Sequence, residues 1–350
     1  MPRPLRIAAY ALAGLTLVPL ALLGVLTLTE WWPPKDVAQA VVGGAPGPLP
    51  TRLTLLTWNI GYAAMDRQTD FFMDGGRMSL GRSGSAVRAN LAAIGALLRT
   101  RAPDVVILQE VDERARRSHG VGERASLERV LGDYAHTFTP NYRVPYVPVP
   151  LGHAMGGVRS GLLTLSRVTP LEARGLRLPG RQSWPNRLFN LKRAVTVVRL
   201  AVVGGRELVL VHVHLTAFDS VGNLRPLEEA FVRARVLREA EAGRYVIVGG
   251  DWNSELPGPG KPPCAPGMDD RSWLIDMPAD FAPPGWTWAV GGNAPTVRTL
   301  GAPLSERTTC YAHIDGFLLS PGVELLRAQT LDLGFENSDH NPVEIEVALH

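Results

Sequence analysis

The chain has 350 residues, 45% hydrophobic and 20% charged. That is enough to bury a large core, in one big α/β domain or two smaller ones, and it excludes a disordered tail-like protein. The net charge of +3 tolerates an anionic substrate without demanding nucleic acid. Two cysteines, Cys264 and Cys310, exclude a disulfide-dense scaffold and leave open one bridge or two buried thiols.

Residues 7–29 contain no charged side chain. As a helix this run reaches roughly 35 Å, enough to cross a hydrocarbon layer of about 30 Å. Arg3 and Arg6 precede it, which keeps the N-terminus cytoplasmic, and Trp31 and Trp32 follow it where an aromatic belt would lie. Pro19 within the run is tolerated in a membrane helix. The expectation is an uncleaved anchor; the rival is a signal peptide cut at Ala38-Gln39-Ala40. Either way the rest of the chain is exported, membrane-anchored or secreted. Residues 1–32 are thus an anchor or signal segment, residues 33–51, rich in Pro and Gly, a tether, and residues 52–350 the folded domain.

Leu53-Thr54-Leu55-Leu56-Thr57-Trp58 predicts a buried strand ending at Asn59. Residues 85–100 have helical periodicity through Val87, Leu91, Ile94, Leu97 and Leu98, and Pro103 stops them. Val105-Val106-Ile107-Leu108 is the next buried strand, ending at Gln109-Glu110. Residues 161–166, 194–203 and 207–215 continue the β pattern, the last two joined by a Gly204-Gly205 hairpin. Residues 227–242 form a second amphipathic helix. Tyr245-Val246-Ile247-Val248 leads into Gly249-Gly250-Asp251-Trp252-Asn253, residues 256–288 read as a long surface loop, and residues 314–319 and 342–348 complete the strands. Interleaved helices, buried strands and hairpins predict a mixed sheet.

Several of these strand ends carry chemistry. Asn59 and Glu110 offer an amide and a carboxylate suited to a hard cation such as Mg²⁺. Asp251 and Asn253, two apart, can face the same way after two glycines that permit close approach of a phosphate or a metal-bound water. Period 2 puts His212 and His214 on one strand face; the first suits packing, the second, nearer the rim, suits catalysis. Asp315 lies in an otherwise apolar strand and needs a partner, for which His340 of Ser338-Asp339-His340 is the candidate.

Thr57-Trp58-Asn59, Leu108-Gln109-Glu110, His212-Val213-His214-Leu215, Gly250-Asp251-Trp252-Asn253, Ile314-Asp315 and Ser338-Asp339-His340 occur in an order that resembles the endonuclease/exonuclease/phosphatase superfamily. The resemblance implies a deoxyribonuclease-I-like fold, a four-layer α/β sandwich with two packed mixed β-sheets flanked by helices. It implies Mg²⁺-dependent (or Mn²⁺-dependent) phosphoester hydrolysis at one rim. On that resemblance Asn59, Glu110 and Asp339 would lie at the metal, and Asp251 and Asn253 would position water and phosphate. His214 would contact the phosphate or protonate the leaving oxygen. His340, oriented by Asp315, would act as base or stabilise the pentacoordinate phosphorus. Gly316 departs from the pattern, since many relatives have an aromatic residue there, and residues 71–85 form an insertion that could cover the site.

The substrate is a phosphoester, in nucleic acid or in a phospholipid headgroup. A nuclease, a sphingomyelinase-like or inositol-phosphatase-like hydrolase and a catalytically silent binding module are the competing readings. Seven cations between Arg174 and Arg199, with no acid among them, form either a solvated edge or an anion-binding rim from which Lys192 or Arg193 could reach a phosphate. Tyr142 and Tyr146 fit a selectivity wall or a packed loop.

Overall fold

The computed structural model describes residues 2–350 apart from residues 218, 220, 221, 267, 269, 270 and 272. In chain order the main elements are α1 (Arg3–Leu28), β1 (Asp36–Ala38), β2 (Arg52–Asn59), α2 (Gly84–Arg101), β3 (Val105–Ala115), α3 (Glu123–Val130), β4 (Ala135–Val147), β5 (Gly156–Ser166), β6 (Glu172–Arg177), β7 (Ala194–Ala201) and β8 (Glu207–His214). They continue with α4 (Leu224–Glu241), β9 (Tyr245–Asp251), β10 (Thr287–Ala289), β11 (Val297–Arg298), β12 (Tyr311–Ala312), β13 (Asp315–Leu319), β14 (Val323–Thr330) and β15 (Val343–Leu349).

Two mixed sheets carry the fold, one ordered β1-β6-β7-β8-β9-β13-β10 and the other β14-β15-β2-β3-β5-β4. Each contains one parallel pair, β8–β9 and β2–β3. Parallel neighbours need a crossover, supplied here by α4 and α2. The sheets pack face to face because their strands are apolar on both sides. In β2, Leu53 and Leu55 point into the cluster shared with Val198, Leu210 and Ile247 of the other sheet. Leu56 and Trp58 point outward against Val87, Ile94 and Leu98 of α2. Val232 and Val236 of α4 cover the opposite outer face, over Val209, Val211 and Val248. The result is the four-layer α/β sandwich.

Local chemistry sets the ends of α2. The Ser83 hydroxyl accepts the Ala86 N–H at 3.1 Å as an N-cap. The helix closes at Ala102 in a left-handed turn (φ 50°) just ahead of Pro103.

Three expectations change. Residues 33–51 are not a free tether. Asp36–Ala38 adds an antiparallel strand to β6, Val42 bridges His136, and Leu49 is fully buried with backbone bonds to Ala201 and Val203. Small and apolar residues between the glycines let this stretch lie along the domain and fill its core. Second, β4 is a 13-residue strand where the sequence suggested a loop, because Pro140 and Pro145 disguise a strand at the sheet edge. Third, the described residues between Leu256 and Trp288 are not merely superficial. Phe281 packs edge-on to the buried Trp252 at 5.5 Å, as Trp288 does at 5.0 Å. Cys264 and Cys310 are joined as a disulfide.

Candidate active site

The register of the sheets builds the site. In the first sheet His214 lies opposite Asp251 across β8–β9, and Asp251 lies opposite Asp315 across β9–β13. Three neighbouring strands therefore end in line. In the second, Asn59 closes β2 beside Gln109 of β3, and Asp339-His340 leads into β15 on the other side of β2. The loaded edges face each other over a cleft of about 680 Å³ lined by Asn59, Glu110, His214, Asp251, Asn253, Asp339 and His340.

Glu110 reaches the cleft through a break in pairing. The β3–β5 register shifts between Leu108 and Val111, and Glu110 sits there with φ 55°. The sequence placed the strand's end at Gln109-Glu110, but β3 continues to Ala115. A bulge re-aims a side chain, and a left-handed non-glycine residue costs on the order of 1 kcal/mol or more, a strain that accumulates at functional positions. Gln109, immediately before it, points the other way and is buried against His212 at 2.6 Å. His212 also meets the Thr164 hydroxyl at 2.9 Å. Because the Gln109 amide nitrogen can only donate, Nε2 of His212 is the acceptor and Nδ1–H donates to Thr164. Burial holds its pKa down at about 3, so His212 is the packing histidine of the pair.

His340 donates Nδ1–H to Asp315 Oδ2 at 2.8 Å, as the sequence anticipated. Asp315 does not line the cleft; it stands behind the ring and fixes its orientation. Burial works against a charged imidazole here, but the carboxylates of Asp315, Asp339 and Asp251 outweigh it and push the His340 pKa up to about 10. Its other nitrogen, Nε2, faces Asp339 Oδ2 at 3.9 Å and Asp251 Oδ2 at 4.0 Å. His214 is the converse case. Burial, with the positive charges of Arg193 and His340 nearby, holds it well below the usual histidine range. Its Nε2 lies 3.5 Å from Asp251 and 3.9 Å from Glu110.

Asn59 is held at both ends of its side-chain amide. Its oxygen accepts the Gly61 N–H at 3.0 Å, while its amide nitrogen donates to Asp251 at 2.9 Å and lies 3.5 Å from Glu110. The Gly61 N–H fixes that orientation, with the amide nitrogen turned to the two carboxylates. Asp251 also accepts the Asn253 N–H at 2.9 Å. Burial, and then the Asp315 charge, push its pKa up to about 6. Asn253, with φ 50°, is tied to the Leu215 carbonyl at 2.9 Å. The glycines before Asp251 serve the protein itself: a Cβ on Gly250 would meet the Val213 carbonyl oxygen at 1.9 Å, and one on Gly249 the Phe317 ring at 2.3 Å.

The donor set fits a hard cation. Burial and the Glu110 charge push Asp339 up, and burial with Asp339 and Glu110 pushes Asp74 up to about 7. Carboxylates crowded in this way favour a cation between Glu110 and Asp339. A second grouping, Asp251, Asp315 and His340, brings donor atoms within 4.8 Å of one another. There the His340–Asp315 bond uses Nδ1 and Oδ2, which makes the two a dyad, while His340 Nε2 and Asp315 Oδ1 stay without a hydrogen-bond partner among the described residues.

Arg117 was not anticipated. It is buried, paired to Asp112 at 2.9 Å, 3.7 Å from Glu110 and stacked on Tyr62 at 3.8 Å. Only the bulge brings these together, and no local motif announces them. Phe71, Met73 and Asp74 of the insertion line the cleft, with Tyr142, Arg193 and Arg298. The anion-binding rim does not form as a unit. Arg174 and Arg199 pair with Glu172, and Arg187 and Lys192 with Glu30, leaving Arg193 as the cation of that group at the cleft. His153 is exposed, and His313 is buried away from the cleft lining.

Two opposed sheet edges of this kind, with a His–Asp dyad facing a carboxylate cluster, define a phosphoester-hydrolase architecture. The chain belongs to the endonuclease/exonuclease/phosphatase family, whose model matches residues 56–340 and whose members are typically phosphoester hydrolases. Solved structures share the fold. An endonuclease/exonuclease/phosphatase from Beutenbergia cavernae DSM 12333 is 22% identical, with a TM-score of 0.57 over 85% of this chain and 72% of that one. The human Nocturnin catalytic domain with bound sulfate is 16% identical, with a TM-score of 0.51 over 89% and 98%. D. rerio TDP2 complexed with a single-strand DNA product is 16% identical, with a TM-score of 0.50 over 85% and 98%. No curated protein matches by sequence.

Proposed function

We propose that the protein is a divalent-metal-dependent phosphodiesterase, held at the membrane by α1 with its catalytic domain on the extracytoplasmic side. The observation that carries the catalytic half is the His340–Asp315 dyad facing Asp251, Glu110 and Asp339 across one cleft. Glu110 and Asp339 would hold the cation, Mg²⁺ or Mn²⁺. When bound there it supplies positive charge to the phosphate oxygens.

The chain's own residues divide the remaining work. Asp251, oriented by Asn59 and poised near neutrality, accepts the proton of the attacking water as the oxygen bonds to phosphorus. His340, already protonated, cannot be that base. It donates through Nε2 to the charge that grows on the phosphoryl oxygens while the P–O ester bond breaks, and the departing alkoxide takes its proton from solvent water. His214, kept neutral, contributes a hydrogen bond rather than a delivered proton. One acid–base residue gives about 10²–10⁴-fold, far below what phosphate ester hydrolysis requires, so the whole constellation is needed.

Support for the location is the length and exposure of α1, together with the Cys264–Cys310 disulfide, which persists in oxidising compartments. The DNA product held by the D. rerio TDP2 structure supports a nucleic-acid phosphodiester as the first substrate to test. Purified protein is assayed with Mg²⁺, Mn²⁺ or EDTA on plasmid DNA, RNA, sphingomyelin and phosphoinositides. Expected are metal-dependent turnover, loss in EDTA, and loss in Glu110→Gln with a melting temperature in EDTA equal to that of the wild type. Full turnover in Glu110→Gln overturns the site.

A further inference from the structure

We infer that the arginine row Arg114–Arg159–Arg143, beside the C-terminal end of α1, is a docking surface for anionic phospholipid headgroups. This rests on the reading of α1 as a membrane anchor.

The row is a property of register. Arg159 on β5 lies directly opposite Arg114 on β3 and Arg143 on β4. Directly paired residues share a face of the sheet, with Cβ atoms about 5 Å apart, and like charges so placed are destabilising. All three side chains are exposed, and among the described residues none makes an ion pair. Arg116, folded over Gly156, adds a fourth cation without an acidic partner. A groove of about 1130 Å³ runs along these arginines. Its one acid, Glu30, is committed to Arg187 and Lys192, each at 3.1 Å. The charge therefore calls for an anion from outside the chain.

The same groove is lined by Leu28, Thr29 and Trp31, where α1 meets the domain. The attachment is fixed rather than loose. Leu26 is buried, the Trp184 indole donates to the Thr27 hydroxyl at 3.2 Å, and Trp32 lies under Arg181 and Lys192. A bilayer around α1 brings its headgroups to this level, within reach of the row given a Debye length of about 8–10 Å. Beyond Arg143, the end of β4 exposes Tyr146 and the β4–β5 turn exposes Val149 and Leu151, the last 90% exposed. Apolar tips beside a basic stripe suit the interface between headgroup and acyl chain. The groove shares no lining residue with the catalytic cleft, which favours the membrane over a nucleic-acid substrate.

The full chain is reconstituted into lipid discs of phosphatidylcholine alone or with phosphatidylglycerol, and amide hydrogen exchange is followed. Residues 143–159 are expected to be protected at least about fivefold more in the anionic discs, roughly one cationic contact's worth. Added salt should erase the difference, as should the triple variant Arg114→Ser, Arg143→Ser, Arg159→Ser. Unchanged exchange in β8 and β9 certifies that the variant is folded, and the salt arm needs no variant. Equal protection in both discs, or protection that survives salt, overturns the proposal. So does protection by a single-strand oligonucleotide but not by anionic discs, which would make the row part of a nucleic-acid path. A chain that enters neither disc overturns the anchor reading along with it. None of these outcomes depends on whether the cleft hydrolyses a phosphodiester.

Discussion

His340 and Asp315 stabilise each other as a buried charged pair, so removing one partner exposes the cost of the other. His340→Ala should abolish turnover and also destabilise the protein by about 3 kcal/mol, because Asp315 is left without its cation. Adding Asp315→Asn should recover most of that stability and none of the activity; urea titration of the single and double variants checks the separation. His212 makes a different prediction, through linkage. Its folded pKa of about 3 lies below the ordinary value of 6.5, so between these pH values the unfolded chain binds the extra proton. Its contribution is complete above about pH 6.5 and is lost as pH falls toward 3, up to a few kcal/mol. Denaturation curves across that window should show this slope, and His212→Gln should flatten it.

At the scale of elements, the site depends on strand alignment more than on any loop. β8, β9 and β13 approach closely enough to set His214, Asp251 and Asp315 side by side because Gly249 and Gly250 carry no side chain. Gly250→Ala puts a Cβ into the Val213 carbonyl at a φ of 142° that L-residues avoid. The expected outcome is loss of folded yield, or destabilisation of more than about 3 kcal/mol with disrupted activity, read by thermal melting. The sequence pattern located β2, β8, β9 and β13 because each is a short apolar run. It missed β4, where proline interrupts the pattern, and β14, whose exposed alternation with Glu324 and Arg327 reads as polar surface. The Glu110 bulge was equally hidden, since nothing in Leu108-Gln109-Glu110 announces a break in pairing.

For the molecule as a whole, the cleft is the seam where the two sheets bring their loaded edges together, and a cation bound there should act as a clasp. Ligand binding to the native state alone stabilises by mass action, about 2.7 kcal/mol at a hundredfold excess over the dissociation constant. Mg²⁺ or Mn²⁺ should therefore raise the melting temperature by a few degrees, EDTA should reverse it, and Glu110→Gln should lose the response. A shift retained in that variant would place the cation elsewhere. The segment Asp36–Ala38 and Leu49 extend the same unity toward the N-terminus, since they tie the end of α1 to the sheets instead of letting the domain swing.

The sequence by itself determined a mixed-sheet α/β domain, the apolar N-terminal span and most of the side chains at the cleft, because buried strands announce themselves by composition and end in polar residues; the sandwich came from the family resemblance. It also paired His340 with Asp315, since a carboxylate in an apolar strand needs a counter-charge. Only the tertiary structure decided what those residues do to one another. The Asn59 amide donates to Asp251, and Arg117 arrives behind Glu110. It also paired Arg174, Arg187, Lys192 and Arg199 with acids and set Arg114, Arg143 and Arg159 side by side without an ion pair among the described residues. The physical reason is that charge and hydrogen-bonding act through space over a few ångströms, and register, not sequence spacing, sets which side chains come that close.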